Sequence, residues 1–586
     1  MADMKERNFS LALTALLFIS AGAVVFIANE ASAQSTLIPS DRLTVWNPGL
    51  NAIGGIPQRT VVCATVNAAS YGHGAQDAGA GIQDALNNCP DGQVVMLSVG
   101  DFRIADRIEV RKAVTLRGHG PLKTKIRKPF GPNNGNVITL GIQWYNFIHS
   151  TNFATDGVKG TSGVVLASNP GLKVGEVVLV DQLYDPNITT WGSKCAIGSA
   201  CRGWFSRTDR PTSQMMEIAS ITGNAITFST AFHTNFKTSS AAQLSRISYS
   251  DGSNRVTPVV KYAGVEDLYV SGGGNNNITM SGAAYSWVKG VESDQHEGHS
   301  IGVYGSFRGV VRDSYVHSTR NPNPGGAGYG LAISRASSDM LVENNIVWNM
   351  NKVMVMQSAG GGNVIAYNYM EDGWISYNTG WVETGLNSSH MAGTQTALFE
   401  GNQAFNFDSD NTWGNSTHVT VFRNHLTAKR RGISPVNLIG DTGNRRAIGL
   451  MEGHWWYTIV GNVLGTAGQS PAPFSSLTYE AVYPWNGEVF PMFILGYNPE
   501  NWKAPPDPKV LSTLIRAGNY DHVTNQVHWE DLHEQSLPHS LYLTSKPEFF
   551  GSYKWPWVDP TGTTKVYALP ARARFDAGTP FAGPPG

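Results

Sequence analysis

Between residues 310 and 465, short apolar runs recur around one polar position. "VVRDSYVH" (310–317), "LVENNIVW" (341–348), "VIAYNYME" (364–371), "LFEGNQAF" (398–405), "VFRNHLTA" (421–428) and "TIVGNVLG" (458–465) share one layout. Apolar residues lead into a polar corner, and strand-like residues follow it. The corner residue is Ser314, Asn345, Asn368, Asn402, Asn424 and Asn462 in turn. Successive corners lie 31, 23, 34, 22 and 38 residues apart. A short minimal turn with loops inserted in some turns is the mark of a solenoid. Asparagine suits the corner because it tolerates left-handed backbone and its amide can bond to corners stacked above and below.

The flanks follow other patterns. "DAGAGIQDALNNCPDGQVVMLSVGDFRI" puts Ile82, Ala85, Leu86 and Cys89 on one helical stripe, then predicts a strand from Val94. Residues 155–250 ("GVVLASNPGLKVGEVVLVDQ", "EIASITGNAITFSTAF") read as antiparallel strands with turns, a small inserted β module. Beyond residue 470 the chain turns rich in proline and aromatics ("APPDPK", "YKWPWVDP", "FAGPPG").

Over residues 75 to 465 these features resemble the pectate-lyase-like superfamily of right-handed parallel β-helices. The resemblance implies an all-β solenoid whose first coil is covered by the 79–89 helix, sparing an open edge. It also implies that a long polymer lies in a groove along one stacked sheet, between loops. The expected organisation is a leader (1–33), the cap and first coils (34–154), the inserted module (155–250), the main β-helix (251–465) and a C-terminal extension packed on it (466–586).

Composition narrows the function. Lys+Arg (43) and Asp+Glu (44) balance, and only 15% of residues are charged, so the basic footprint of a nucleic-acid binder is missing. The start, "MADMKERNFS" then "LALTALLFISAGAVVFIA" then Ala31-Ser32-Ala33, predicts a secretory signal peptide cut before Gln34; an uncleaved anchor is the alternative. Either way the body is exported, secreted or periplasmic, with no stable membrane span once the leader is removed. Export permits disulfides. Of the three pairings open to the four cysteines, Cys63–Cys89 and Cys195–Cys201 is preferred, the first tying a strand to a helix end and the second closing a short loop.

In the loops after the corners stand Arg320, Lys352, Glu371, Asp372, Glu383, His390, Asp408, Asp410 and His418, beside Trp374, Trp381 and Trp413. Indole faces suit sugar rings, and a few convergent polar groups fix their orientation. Catalytic candidates, in order, are Asp408, Asp410, His390, Glu371, Lys352 and Arg320; Trp374, Trp381 and Trp413 are the candidate sugar platforms. For hydrolysis, Glu371 pairs with Asp408 or Asp410 as acid and base. For elimination, Lys352 or His390 is the base. In "FEGNQAFNFDSD", alternation points Asn406, Asp408 and Asp410 the same way, so this trio is also a candidate calcium site, with no cofactor otherwise required.

Several motifs are excluded. "RGHGP" (117–121) lacks the Asp-Asp and Arg-x-Lys partners that accompany Gly-His-Gly in pectin hydrolases, and the Trp-x-x-Asp-His signature of pectate lyases is missing. "GGGNNN" (272–277) is no phosphate loop, and neither GxSxG nor HExxH occurs. The reading is an exported lyase or glycoside hydrolase acting on a polysaccharide; the alternative is a non-catalytic glycan-binding or scaffold protein of the envelope or surface.

Overall fold

The computed structural model describes residues 38–583, apart from 43, 132, 193, 197, 250–254, 321–326, 375–384, 430–445, 470, 472–474, 482–488, 502–503 and 533. The expected leader, 1–33, lies outside the described residues. No helix among those described is long and apolar enough to cross a membrane.

Apolar runs of three to six residues form brief strands, and each coil strings several of them together. One coil runs through Leu341–Glu343, turns at Asn345 into Ile346–Met350, then bends into Met354–Gln357. Each strand pairs in parallel with its counterpart in the next coil, Leu341 with Val364, Ile346 with Tyr369 and Met354 with Leu386. Repetition gives a 23-stranded sheet folded at the corner and an 11-stranded sheet opposite, here termed the groove sheet. The result is a right-handed parallel β-helix. Its core is built in columns: Ile278, Ile301, Leu331, Met354, Leu386, Phe407, Ile448 and Phe493 stack one coil above another and are all buried.

The corner asparagines form a continuous ladder. Asn402 donates Nδ2 to Asn424 Oδ1 at 3.0 Å and to the Ile365 carbonyl at 2.8 Å, while its Oδ1 accepts from the Asn368 amide and backbone N–H. The same pattern joins Asn345, Asn368, Asn424 and Asn462, and extends to Asn519, 57 residues beyond Asn462. These six side chains are fully buried, so the ladder satisfies polar groups that water cannot reach. One expectation is corrected. The left-handed residue is not the ladder asparagine but the one before it: Asp313, Asn344, Tyr367, Gly401, Arg423, Gly461 and Gly518. The asparagine is required for its amide, and its neighbour carries the strained backbone.

The 79–88 helix buries Ile82 and Leu86 over the first coil, and the strand after it begins at Val94 as expected. Both disulfides are present, Cys63–Cys89 with Cα atoms 5.6 Å apart and Cys195–Cys201 at 5.8 Å. The inserted module is a six-stranded sheet joined by antiparallel pairs. Its first strand, Tyr145–Asn152, starts ahead of the expected boundary at 155. The C-terminal residues lie along the corner face. Arg423 donates to the carbonyls of Leu537, Pro538 and Val558, Trp557 Nε1 donates to the Gly401 carbonyl, and Phe575 packs edge-on against Trp348.

Candidate functional site

The groove sheet decides which side chains share a wall. Its inward column fixes the register. Among the described residues, the position two before the inward one is polar in five strands of that column: Asn276, His299, Tyr329, Lys352 and Arg446. His299 and Tyr329 are direct partners in adjacent strands. A second outward row includes Asn387 and Asp408, also direct partners. In Phe407–Ser409 the inward Phe407 packs in the core and Ser409 meets Tyr457 Oη at 2.9 Å, so Asn406, Asp408 and Asp410 alternate with inward groups.

Asp410 is the hub. Its carboxylate accepts from Lys352 Nζ at 2.9 Å, Asn387 Nδ2 at 2.6 Å and the Thr412 backbone N–H at 3.1 Å, and meets His390 Nδ1 at 2.9 Å. Asp410 is fully buried and Lys352 nearly so, while His390 keeps 13% of its side chain exposed. Burial opposes the charge on Asp410, but the adjacent His390 and Lys352 outweigh it and hold the carboxyl well below the usual range. One turn of strand away, Asp408 accepts from Arg446 Nε at 2.8 Å and from Asn406 Nδ2 at 2.6 Å. Two buried carboxylates thus each face a buried cation.

With Nδ1 of His390 engaged by Asp410, its Nε2 points to the Tyr329 hydroxyl, 3.5 Å away. Tyr329 stacks on His299 with ring centroids 5.5 Å apart, and His299 Nδ1 meets Tyr304 Oη at 2.6 Å. Burial, with His390 nearby, lowers His299 to about 4, so it is neutral near pH 7. Tyr304 in turn lines a cleft of about 230 Å³ with Asn276, Thr279, Trp144, Phe205 and Arg335. An aromatic and imidazole path therefore connects the open cleft to the Asp410 cluster.

Other sequence candidates lie elsewhere. Glu371 sits in Tyr369–Gly373 of the 23-stranded sheet, in register with Trp348, and accepts from Gln403 at 3.4 Å. It shares no wall with Asp408 or Asp410, which corrects the expected hydrolytic pair. Arg320 pairs with Glu297 at 3.2 Å and covers the Phe130 ring at 3.9 Å, outside the cluster. Trp374 donates to Asn349 at 2.9 Å, and Trp413 packs edge-on against Trp204 beside the Cys195–Cys201 loop. His418 stacks on Trp456 at 5.0 Å, and burial together with Lys159 and Arg42 lowers it to about 3. Asp372 is buried at a left-handed position that ends its strand. Trp381 and Glu383 lie outside the described residues.

The Asn406, Asp408 and Asp410 trio does not fit calcium. Calcium needs several oxygens turned to one point, but Asn406 turns its amide nitrogen to Asp408, and each carboxylate already faces a cation. Among the described residues, no group of three or more His, Cys, Asp or Glu is placed to hold a metal ion.

Sequence reasoning missed Tyr329, His299, Tyr304, Asn387 and Arg446. All but Tyr304 and Asn387 occupy the position two before an inward residue, a signal readable once the strands of the groove sheet are aligned.

No family model matches the chain, and no curated protein matches it. Among solved structures, it is similar to the tailspike gp61 of Pseudomonas phage phi297, at 13% identity over 78% of this chain and 75% of that one, with a TM-score of 0.45. It is also similar to the A-module of the mannuronan C-5 epimerase AlgE6 of Azotobacter vinelandii, at 12% identity over 78% and 99%, TM-score 0.37. An alginate lyase from Paenibacillus sp. str. FPU-7 aligns at 10% identity over 69% and 94%, TM-score 0.32. Chemistry has to be read from the site itself.

Proposed function

We propose that the chain is an exported carbohydrate-active enzyme that cleaves an acidic polysaccharide by elimination in the groove along the groove sheet. The observation that carries this reading is the Asp410–His390–Tyr329 arrangement. Asp410 orients the imidazole, which leaves Nε2 directed at the Tyr329 hydroxyl. His390 removes the proton next to the uronate carboxylate, the C–H electrons become a ring double bond, and the bond to the leaving glycosidic oxygen breaks. Tyr329 delivers a proton to that oxygen. The positive charges of Lys352 and Arg446 supply the field that stabilises charge building on the uronate. Lys352, an alternative base on sequence grounds, already faces a carboxylate at 2.9 Å, which favours His390. Hydrolysis has less support, because the carboxylates of the groove sheet are each tied to a cation and Glu371 lies on another wall.

A second reading, non-catalytic glycan binding, draws on the near-complete burial of the Lys352–Asp410 pair. One experiment separates the two. Purified protein is incubated with acidic and neutral polysaccharides while absorbance at about 235 nm, expected of an unsaturated uronate, and reducing ends are recorded. Both signals together support elimination. Reducing ends alone mean hydrolysis, and retention on a glycan column without either signal means binding only.

A further inference from the structure

The loop closed by Cys195 and Cys201 leaves the inserted module and lies against the groove sheet. Thr190 N–H donates to Asn415 Oδ1 at 2.7 Å, and Asn415 Nδ2 returns a bond to the Ile188 carbonyl at 3.2 Å. Gly192 rests on the carbonyls of Asn411 and Thr412 so closely that a Cβ would come within 2.2 Å of an oxygen. The disulfide packs on Met391, and Trp204 meets Trp413 with centroids 4.8 Å apart. The loop is thus pinned to the coils that carry Asp410, and its far edge, Trp204–Phe205, reaches the coils of Asn276 and Tyr304.

At that edge, two cavities of about 230 and 470 Å³ share Tyr145, Phe205 and Arg335. Trp144 (60% exposed) lines the smaller cavity and Trp204 (44%) the larger. Arg335 has left-handed backbone, with φ 54°, and no carboxylate pairs with its guanidinium among the described residues. The buried Tyr145 hydroxyl lies beside it, with Arg335 as its polar neighbour. Burial pushes that hydroxyl up to about 12, with Arg335 pulling the other way. A guanidinium with no carboxylate partner among the described residues, a phenol beside it and an indole lining each of the two adjoining cavities make a hollow that suits a planar anion on an apolar ring.

We propose that this hollow is a distal subsite for one acidic sugar unit of the polymer, with the carboxylate on Arg335 and the ring face against Trp144 or Trp204. The subsite rests on the polysaccharide reading above, but not on elimination as the reaction. It lies two to four coils from His390, roughly 10–20 Å at the spacing of adjacent strands, so only a chain of several sugars occupies both. The inserted module thereby gives the groove a preference for long acidic chains.

The test measures affinity electrophoresis of wild type, Arg335→Gln, Arg335→Lys and Trp204→Ala in gels holding polygalacturonate, polyguluronate or polymannuronate, or the carboxyl-reduced form of each. Thermal unfolding of every variant is recorded alongside. Arg335→Gln is expected to weaken binding to the acidic polymer about 10-fold or more, as loss of a charge-assisted bond does, with binding to the reduced polymer unchanged. Arg335→Lys restores part of the loss, and Trp204→Ala weakens both polymers. Equal binding of acidic and reduced polymer by wild type, or undiminished acidic binding by Arg335→Gln, overturns the subsite. Binding to none of the polymers overturns it together with the polysaccharide reading. Arg335-dependent retention with neither unsaturated product nor new reducing ends supports the subsite and removes the catalytic reading alone.

Discussion

On the corner face, the buried carboxylates of Glu400 and Glu343 are met by the chain's own C-terminal residues. Glu400 accepts from the Leu541 N–H at 2.8 Å, from Ser540 Oγ at 2.5 Å and from Tyr367 Oη at 2.7 Å, and Tyr542 Oη donates to Glu343 at 2.8 Å. On the groove sheet, buried charge is answered by opposite charge, Lys352 for Asp410 and Arg446 for Asp408. There a histidine nitrogen and a tyrosine hydroxyl stand 3.5 Å apart, on a path that leads to an open cleft. Both faces are polar and both are covered, so burial alone does not distinguish glue from site. The difference lies in the arrangement. On the corner face, hydroxyls and backbone groups fasten one layer to another beside ion pairs such as Arg312–Glu343, whereas on the groove sheet a buried ion pair also orients an imidazole.

The contrast can be broken by mutation. Lys352→Met leaves Asp410 with His390 but without its ammonium, and removing one member of a buried pair costs about 3–5 kcal/mol; a fall in the denaturant midpoint with unchanged slope is the expected result. Asn402→Ala cuts the corner ladder and strands the buried donors of Asn368, at about 1–3 kcal/mol each. That loss should appear in calorimetry without affecting turnover per folded molecule. Glu400→Gln keeps the shape of the C-terminal contact, removes the titrating carboxyl and replaces one accepting oxygen by an NH2, a smaller change read best through pH.

Glu400 and His299 have opposite pH dependence. Burial pushes Glu400 up to about 7, so its folded form holds a proton that the unfolded chain releases above about 4.5, and its contribution falls as pH rises between those values. His299 goes the other way. Lowered from 6.5 to about 4, it remains neutral when folded while the unfolded chain takes up a proton, so stability falls as pH drops from 6.5 toward 4. His425 and His454 on the coils, also lowered to about 4 by burial, add to the same acid loss. Melting temperatures of Glu400→Gln should therefore rise more steeply with pH between 5 and 7 than those of the wild type. Parallel curves would show that Glu400 is ionised throughout.

The ladder was legible in the sequence because its asparagines recur in matching apolar frames. Asn519 escaped, since the long excursion after Asn462 places it outside the traced repeat. The role of each corner residue was only half legible: the amide is visible in the residue type, but which residue takes φ near +55° is a matter of backbone geometry. In the site, Lys352, His390, Asp408 and Asp410 stood out as charged loop residues after corners. His299, Tyr304 and Arg446 did not, because their closeness comes from strand register across coils and not from spacing along the chain. Arg335 and Trp204 meet through the inserted module, whose docking no local pattern records. Glu371 misled for the same reason: a loop-like position in sequence became the end of a strand on another wall.

The most direct measurement compares turnover of His390→Ala and Glu371→Gln on the acidic polymer that the wild type cleaves, with thermal unfolding recorded for each. If the groove sheet carries the chemistry, His390→Ala loses about 10²–10⁴-fold in rate, as loss of a general base does, while Glu371→Gln stays within a few-fold of wild type. Wild-type turnover in a folded His390→Ala, or a collapse of activity in a folded Glu371→Gln, would contradict it.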